Sequence, residues 1–110
     1  MSQCDSPHVY GGISKPKMEE IILELKNNGC SITGANPWNV DVHQFGIKLK
    51  GTWSGDTGKN LTVEVTDKSF LVPCSMIWDK IDPIMKHING LSEDYIAELK
   101  NKREESLNFS

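Results

Sequence analysis

Hydrophobic and polar positions alternate with a period of two in three segments near the middle of the chain. In residues 38–43, 47–53 and 61–66, apolar side chains or a glycine occupy every second position. This period is typical of strands that bury one face and expose the other. Both connections are short, and the second, residues 54–60, is rich in Gly, Asp, Thr and Asn, which favours hairpins. We therefore predict a three-stranded antiparallel meander.

The alternation also predicts how these strands pair. A hairpin between the second and third segments can place Trp53 beside Leu61 and Leu49 beside Val65. For the first hairpin, Gly46 can supply the positive φ of a tight turn, and two registers both keep the apolar positions on one face. Parity thus predicts the pairing of these two strands and leaves their register open.

A helical pattern precedes the meander, in residues 14–28. Ser14 is suited to cap the helix through its hydroxyl, Pro16 falls in the first turn, and Gly29 can take the left-handed conformation that ends a helix. Apolar residues recur at the spacing of one buried stripe, at Met18, Ile21, Ile22 and Leu25. Residues 30–34 fit either a short strand or an extended connector.

A second helical pattern follows the meander, in residues 75–88. Its apolar stripe consists of Ile77, Ile81, Ile84, Met85 and Ile88. Pro83 lies inside this stripe and removes a backbone hydrogen bond, so we expect a kink or two short helices. A last helix is predicted to begin at Ser92, where Glu93 and Asp94 suit a first turn.

The predicted fold class is α+β, a two-layer sandwich with a three-stranded antiparallel meander and helices packed on one face, in the order α-β-β-β-α-α. We expect residues 1–13 to form a flexible leader, residues 14–100 a single domain and residues 101–110 a frayed polar tail. A chain of 110 residues is long enough to bury a core of its own.

Charge and helix composition bear on nucleic acid as a partner. The net charge is −3, and no stretch forms a basic cluster, which disfavours binding to phosphate backbones. The order of elements also occurs in double-stranded RNA-binding domains, in which the helix after the third strand begins with lysines. Here that position has the sequence Pro-Cys-Ser-Met-Ile, so only the topology is shared. Weak RNA binding through Lys48 and Lys50 is kept as an alternative.

The chain contains three cysteines, Cys4, Cys30 and Cys74. Their odd number and wide spacing predict neither a disulfide framework nor a structural zinc site. The first residues lack the pattern of a signal peptide, and no apolar run is long enough to span a membrane. We therefore expect a cytoplasmic protein with no metal, no cofactor and no membrane contact.

The polar face of the sheet is the leading candidate for function. By parity it presents Asn39, Asp41, His43, Lys48, Lys50, Thr52, Thr62, Glu64 and Thr66. Such a face is either a solvated surface with cross-strand ion pairs or a recognition surface. We predict a non-enzymatic protein-binding or adaptor module, monomeric or weakly dimeric, with a binding surface at Asp41, His43, Lys48, Lys50, Glu64 and Trp78. Trp78 is included because it lies beside the apolar stripe of its helix and not on it.

A thiol-dependent enzyme is the alternative from another class. Cys74 follows a proline at the predicted start of a helix, where backbone N–H groups lower the pKa of a thiol. His43 or His87 could serve as its base. Against this, Cys74 lies in the most hydrophobic segment, where a cysteine is commonly a small buried apolar residue.

Overall fold

The computed structural model describes residue 4 and residues 7–108 and shows an α+β fold with a five-stranded antiparallel sheet and four helices. The strands lie in the order β1-β5-β4-β3-β2 across the sheet. Their bounds are β1 His8–Tyr10, β2 Ser31–Gly34, β3 Trp38–Asp41, β4 Lys48–Trp53 and β5 Leu61–Asp67. The helices are α1 Lys15–Asn27, α2 Gly55–Gly58, α3 Cys74–Asn89 and α4 Glu93–Asn108.

The predicted meander is confirmed as β3, β4 and β5. Trp53 pairs with Leu61, and Leu49 pairs with Val65, as the alternation predicted. In the first hairpin Val40 pairs with Leu49, which fixes the register that parity left open. A register shift between Lys48 and Leu49 places Lys48 opposite the last residue of β5. The alternation of apolar and polar positions therefore predicted the centre of the sheet correctly.

Two further strands extend the meander, so the prediction of three strands is wrong. β2 occupies the segment that was open between strand and connector, and it pairs antiparallel with β3. β1 lies within residues 1–13, the predicted flexible leader, and Val9 pairs with Thr62 of β5. Residues 1–3, 5 and 6 of that predicted leader lie outside the described residues. β1 has only three residues and no turn connects it to its partner, so its own sequence carries little strand signal.

Helix α1 begins and ends almost where the sequence predicted, but its amino end is capped differently. Ser14 occupies the cap position without a side-chain hydrogen bond, and its Oγ is buried without a partner. Instead Asp56, from the connection between β4 and β5, accepts a hydrogen bond of 3.0 Å from the backbone N–H of Lys15. At the other end Gly29 has a φ of 91°. The start of α1 is thus fixed by a distant turn.

Helix α3 continues without a break through Pro83, so the alternative of two short helices is wrong. Pro83 is exposed, and water can reach the carbonyl that its missing N–H leaves unpaired. Helix α4 packs against α1 and extends to Asn108, through most of the segment predicted to be a frayed tail. Residues 109 and 110 of that segment lie outside the described residues.

The hydrophobic core lies between the inner face of the sheet and helices α1 and α3. Its members come from the alternating positions of β3 to β5 and from the apolar stripes of the two helices, including Val40, Leu49, Leu61, Val63, Val65, Met18, Ile21, Ile77, Ile81, Met85 and Ile88. Burying an aliphatic side chain of this size contributes about 1.5 to 3 kcal/mol. The opposite face of the sheet carries the polar residues.

The amino-terminal arm, residue 4 and residues 7–14, is attached to α3 by a disulfide between Cys4 and Cys74. The two Cα atoms are 6.0 Å apart, and 70 positions separate the residues in sequence. The expectation of no disulfide framework therefore missed this bond. Spacing could not indicate the bond, because it joins residues that only the folded topology brings together.

Side chains of the arm make further contacts with α3. The imidazole ring of His8 stacks on the indole ring of Trp78, with centroids 3.6 Å apart and planes inclined by 9°. Tyr10 donates a hydrogen bond of 2.5 Å from its hydroxyl to Asp82 Oδ1. At the end of α3, Asn89 donates from its amide to the carbonyl of Gly11 at 3.0 Å. The arm thus covers one side of α3 and extends the sheet by one strand.

Candidate binding surface

The predicted polar sheet face is present, and every residue assigned to it is at least partly exposed. Lys50 lies opposite Glu64 on one neighbouring strand and opposite Asn39 on the other. Lys48 lies opposite both Asp41 and Asp67. Alternating signs across the sheet balance the charge of this face, which favours a polar contact surface and not a single-sign footprint.

His43 is held at the end of the polar sheet face by two neighbours. Its backbone N–H donates to Asp41 Oδ1 at 2.9 Å, and its Nδ1 lies 3.6 Å from the same oxygen. Its Nε2 is hydrogen-bonded to Ser31 Oγ at 2.6 Å. Ser31 lies directly opposite Asp41 in the sheet, so strand pairing positions the group. The structure therefore brings together Asp41, His43 and Lys48, with Lys50 and Glu64 farther along the same face.

Two other predicted site residues are placed elsewhere. Trp78 is only 8% exposed and lies beneath His8, on the side of the sheet that faces the helices. This corrects the prediction that it belongs to an exposed binding surface with Asp41 and Lys50. Cys74 forms the disulfide with Cys4, so its sulfur is not a free thiol in this structure.

Three large apolar side chains are exposed at the end of the sheet near His43. Phe70 is 89% exposed, Leu71 77% and Phe45 57%. Phe45 belongs to the turn between β3 and β4, whereas Phe70 and Leu71 belong to the connection from β5 to α3. The two segments are joined by a hydrogen bond of 2.9 Å from the N–H of Ser69 to the carbonyl of Phe45. We call these three residues the hairpin end.

The turn that carries Phe45 adopts an uncommon backbone conformation. His43, Phe45 and Gly46 have φ values of 62°, 55° and 67°. Only the glycine takes such a φ without steric cost, and a non-glycine residue in this region costs roughly 1 to 2 kcal/mol. The hydrogen bond to Asp41 offsets part of this cost at His43. The turn therefore presents Phe45 to solvent in a conformation that its own side chain disfavours.

An apolar groove of about 450 Å³ opens beside the hairpin end, between the sheet and the helices. Its apolar lining includes Leu25, Val42, Phe45, Ile47, Met76 and Ile84, and its polar lining consists of Asn28, Cys30, Gln44 and Lys80. Cys30 carries the free thiol of the chain. Burial, and to a smaller extent the negative charge of Asp41, raises the pKa of that thiol. A thiol kept protonated in this way is a poor nucleophile at neutral pH.

The hairpin end is the feature that the sequence did not indicate. Its three residues follow no alternation and no helical period in the sequence. Exposure of consecutive large apolar residues depends on the course of the loop, which no local pattern encodes. The glycine in the hairpin turn was a usable signal, because it predicted a tight turn beside Phe45.

Comparison of the chain with protein-family models, with curated proteins and with solved structures gives no match. Within the described residues, none of the helices combines the length and the apolar character needed to cross a membrane. The same part of the chain contains no group of three or more His, Cys, Asp or Glu side chains that could hold a metal ion. The surface itself is therefore the basis for any functional assignment.

Proposed function

We propose that this protein is a non-enzymatic protein-binding module, which contacts its partner through the hairpin end and the adjoining polar sheet face. The observation that carries the proposal is the exposure of Phe70, Leu71 and Phe45 at one end of an open sheet. Exposed apolar clusters with a polar surround are typical of protein interfaces, in which aromatic residues supply much of the binding energy.

The polar sheet face supports this proposal through its composition. Lys48, Asp41 and His43 adjoin the apolar residues through the β3–β4 turn, so an apolar centre would be bordered by a mixed-charge rim. Rim charges chiefly select the partner and raise the association rate, whereas buried apolar anchors supply affinity. We expect the protein to act without a cofactor, as a monomer or weak dimer.

The disulfide bears on where such a module would work. The expectation of a reducing cytoplasm rested on the absence of a signal-peptide pattern and on the cysteine spacing, and the Cys4–Cys74 bond removes the second of these grounds. Structural disulfides persist mainly in oxidising compartments, so we propose that the protein meets its partner under oxidising conditions. Binding experiments should therefore use the protein without reductant.

The proposal can be tested by comparative capture from an extract of the source cell. The bait proteins are the wild type, the Phe70→Ser/Leu71→Ser double variant, Lys48→Glu, and Tyr95→Ser as a control. Tyr95 is an exposed aromatic residue on α4, away from the sheet. We expect a captured protein that the control retains and that the double variant loses by at least about tenfold, the effect of roughly 1.4 kcal/mol.

Other outcomes of this capture contradict the proposal. If every captured protein binds the double variant and the control equally, the hairpin end is not an interface. If capture depends on Lys48 and disappears after ribonuclease treatment, the RNA-binding alternative is correct instead. If iodoacetamide labels Cys74 in the unreduced protein and abolishes a measured activity, the thiol-enzyme alternative is correct.

A further inference from the structure

The apolar groove restricts the form that a bound peptide can take. Its walls are side chains from α1, the α1–β2 connection, α3, the β3–β4 connection and the inner face of β4. β4, the strand that lines the groove, lies inside the sheet and is paired on each side, and the edge strand β2 contributes no lining residue. A peptide in the groove cannot therefore add to the sheet as another strand. It must be recognised through its side chains.

A helix with one apolar face meets that requirement. Helix-in-groove recognition places anchors at positions i, i+3 or i+4, and i+7 into an apolar cleft, without main-chain hydrogen bonds to the host. A groove of about 450 Å³ is of the size that holds a few large aliphatic side chains. Phe45 forms part of the wall and is also exposed, so the apolar surface continues outward beyond the groove.

The charge of the groove indicates the polar face of such a helix. Among the described lining residues, Lys80 is the one side chain that is charged at neutral pH, and it is exposed. The carboxylate of Asp41, which helps to raise the pKa of the Cys30 thiol, lies outside the lining. A carboxylate on the incoming helix could pair with Lys80, whereas a basic helix would meet a like charge.

We infer that the apolar groove binds an amphipathic helix of the partner protein, with acidic residues beside its apolar face. This inference rests on the proposed protein-binding function and names the segment of the partner that is recognised. Met76 suits the role, because a flexible thioether side chain adapts to different apolar anchors. Cys30 provides a chemical report on occupancy, because its thiol lies in the lining.

The test uses a displayed peptide library of about fifteen residues, or four helical turns. Leucines are fixed at the anchor positions i, i+3 or i+4, and i+7. Each of the remaining positions carries Glu or Lys in equal amounts. Selection is made on the oxidised full-length wild type, on Lys80→Glu, on Ile84→Glu and on Lys86→Glu as a control on α3 outside the groove. We expect the wild type and the control to enrich glutamate-rich peptides, Lys80→Glu to shift enrichment toward lysine, and Ile84→Glu to enrich none.

Binding to the groove is verified by maleimide labelling of Cys30. With a selected peptide at about ten times its Kd, mass action predicts roughly tenfold slower labelling. Circular dichroism shows whether the Ile84→Glu protein is folded. If it is unfolded, the comparison of Lys80→Glu with Lys86→Glu still tests the inference, because both lysines are exposed on the same helix.

Several results would overturn the inference. These are the absence of any enriched peptide, enriched peptides that leave Cys30 labelling unchanged, and a glutamate preference that Lys80→Glu does not alter. Protection of Cys30 by dodecanoate, with no peptide selected, would identify the groove as a site for small amphiphiles instead. A negative peptide selection does not change the result of the capture with the hairpin-end variants. A negative capture does not prevent the peptide selection, so the two proposals can be rejected independently.

Discussion

The amino-terminal arm and the hairpin end differ in the exposure of the large aromatic side chains found there: the one beneath the arm is buried, and those of the hairpin end are in solvent. Trp78 is 8% exposed, because it packs in the core and His8 of the arm stacks on it, whereas Phe70, which precedes the same helix, is 89% exposed. The buried side chain is contacted by a segment distant in sequence as well as by the core, and the exposed one is not covered. The arm packs against α3, and the side chains of the hairpin end remain in solvent.

Of the substitutions that test this difference, removal of the buried aromatic residue should have the largest effect on stability. We expect Trp78→Ala to lower the free energy of unfolding by about 3 to 5 kcal/mol, because it leaves a cavity beneath His8 and against the core. Urea unfolding followed by far-ultraviolet circular dichroism measures this loss. Tyr95→Ala on α4 is the matched control, with an expected change within about 0.5 kcal/mol. Equal effects of the two substitutions would contradict the burial of Trp78 between His8 and the core.

A smaller loss is expected when the disulfide is removed. Cys4→Ser should reduce the free energy of unfolding by about 2 to 4 kcal/mol, because the bond closes a loop between residues 70 positions apart. Reduction of the wild type should have a similar effect, and reductant should not further destabilise Cys4→Ser. If reductant leaves the wild-type urea midpoint unchanged, the arm is not held by this bond.

The phenol of Tyr10 predicts a dependence on alkaline pH. Burial, followed by the hydrogen bond and the charge of Asp82, raises the pKa of Tyr10 well above its ordinary value. Its contribution is therefore fully present below the unfolded pKa of about 10 and is lost as the pH rises through the folded pKa.

The comparison between wild type and Tyr10→Phe isolates this term. We expect the wild type to lose more stability than Tyr10→Phe when the pH rises from about 9 to about 11. Unfolding midpoints of both proteins at several pH values measure the difference. Parallel curves over that range would show that the phenol is not protected by the arm and Asp82.

The smallest effect on stability is expected at the hairpin end. Phe70→Ser/Leu71→Ser should change the free energy of unfolding by less than about 0.5 kcal/mol per residue, because both side chains are mostly in solvent. Thermal unfolding measures this change. A loss comparable to that of Cys4→Ser would mean that these residues support the fold, and the contrast with the arm would disappear.

The sequence predicted those parts of the fold that local patterns determine. The pairings of Trp53 with Leu61 and of Leu49 with Val65 follow from alternation and a short connection. β1 did not follow, because its three residues become a strand only when β5 offers a free edge. The cap of α1 was also missed, because Asp56 comes from a turn about forty positions away.

The candidate surface was also predictable only where a local pattern determines it. Parity placed Asp41, Lys48 and Lys50 on one polar face, since strand alternation alone decides which face a residue takes. The positions of Trp78 and Phe70 were not predictable, because their exposure depends on the arm and on the path of a loop. Long-range contacts thus decide where the open apolar surface lies.

The most direct test of the central claim is site-specific photo-cross-linking in the source cell. A photoreactive amino acid replaces Phe70 in one variant and Tyr95 in another, and both proteins keep their disulfide. The account predicts a discrete protein adduct at position 70, absent at position 95, which excess unlabelled wild type suppresses and Phe70→Ser/Leu71→Ser does not. No adduct at position 70, or the same adducts at both positions, would contradict the claim that the hairpin end is the recognition surface.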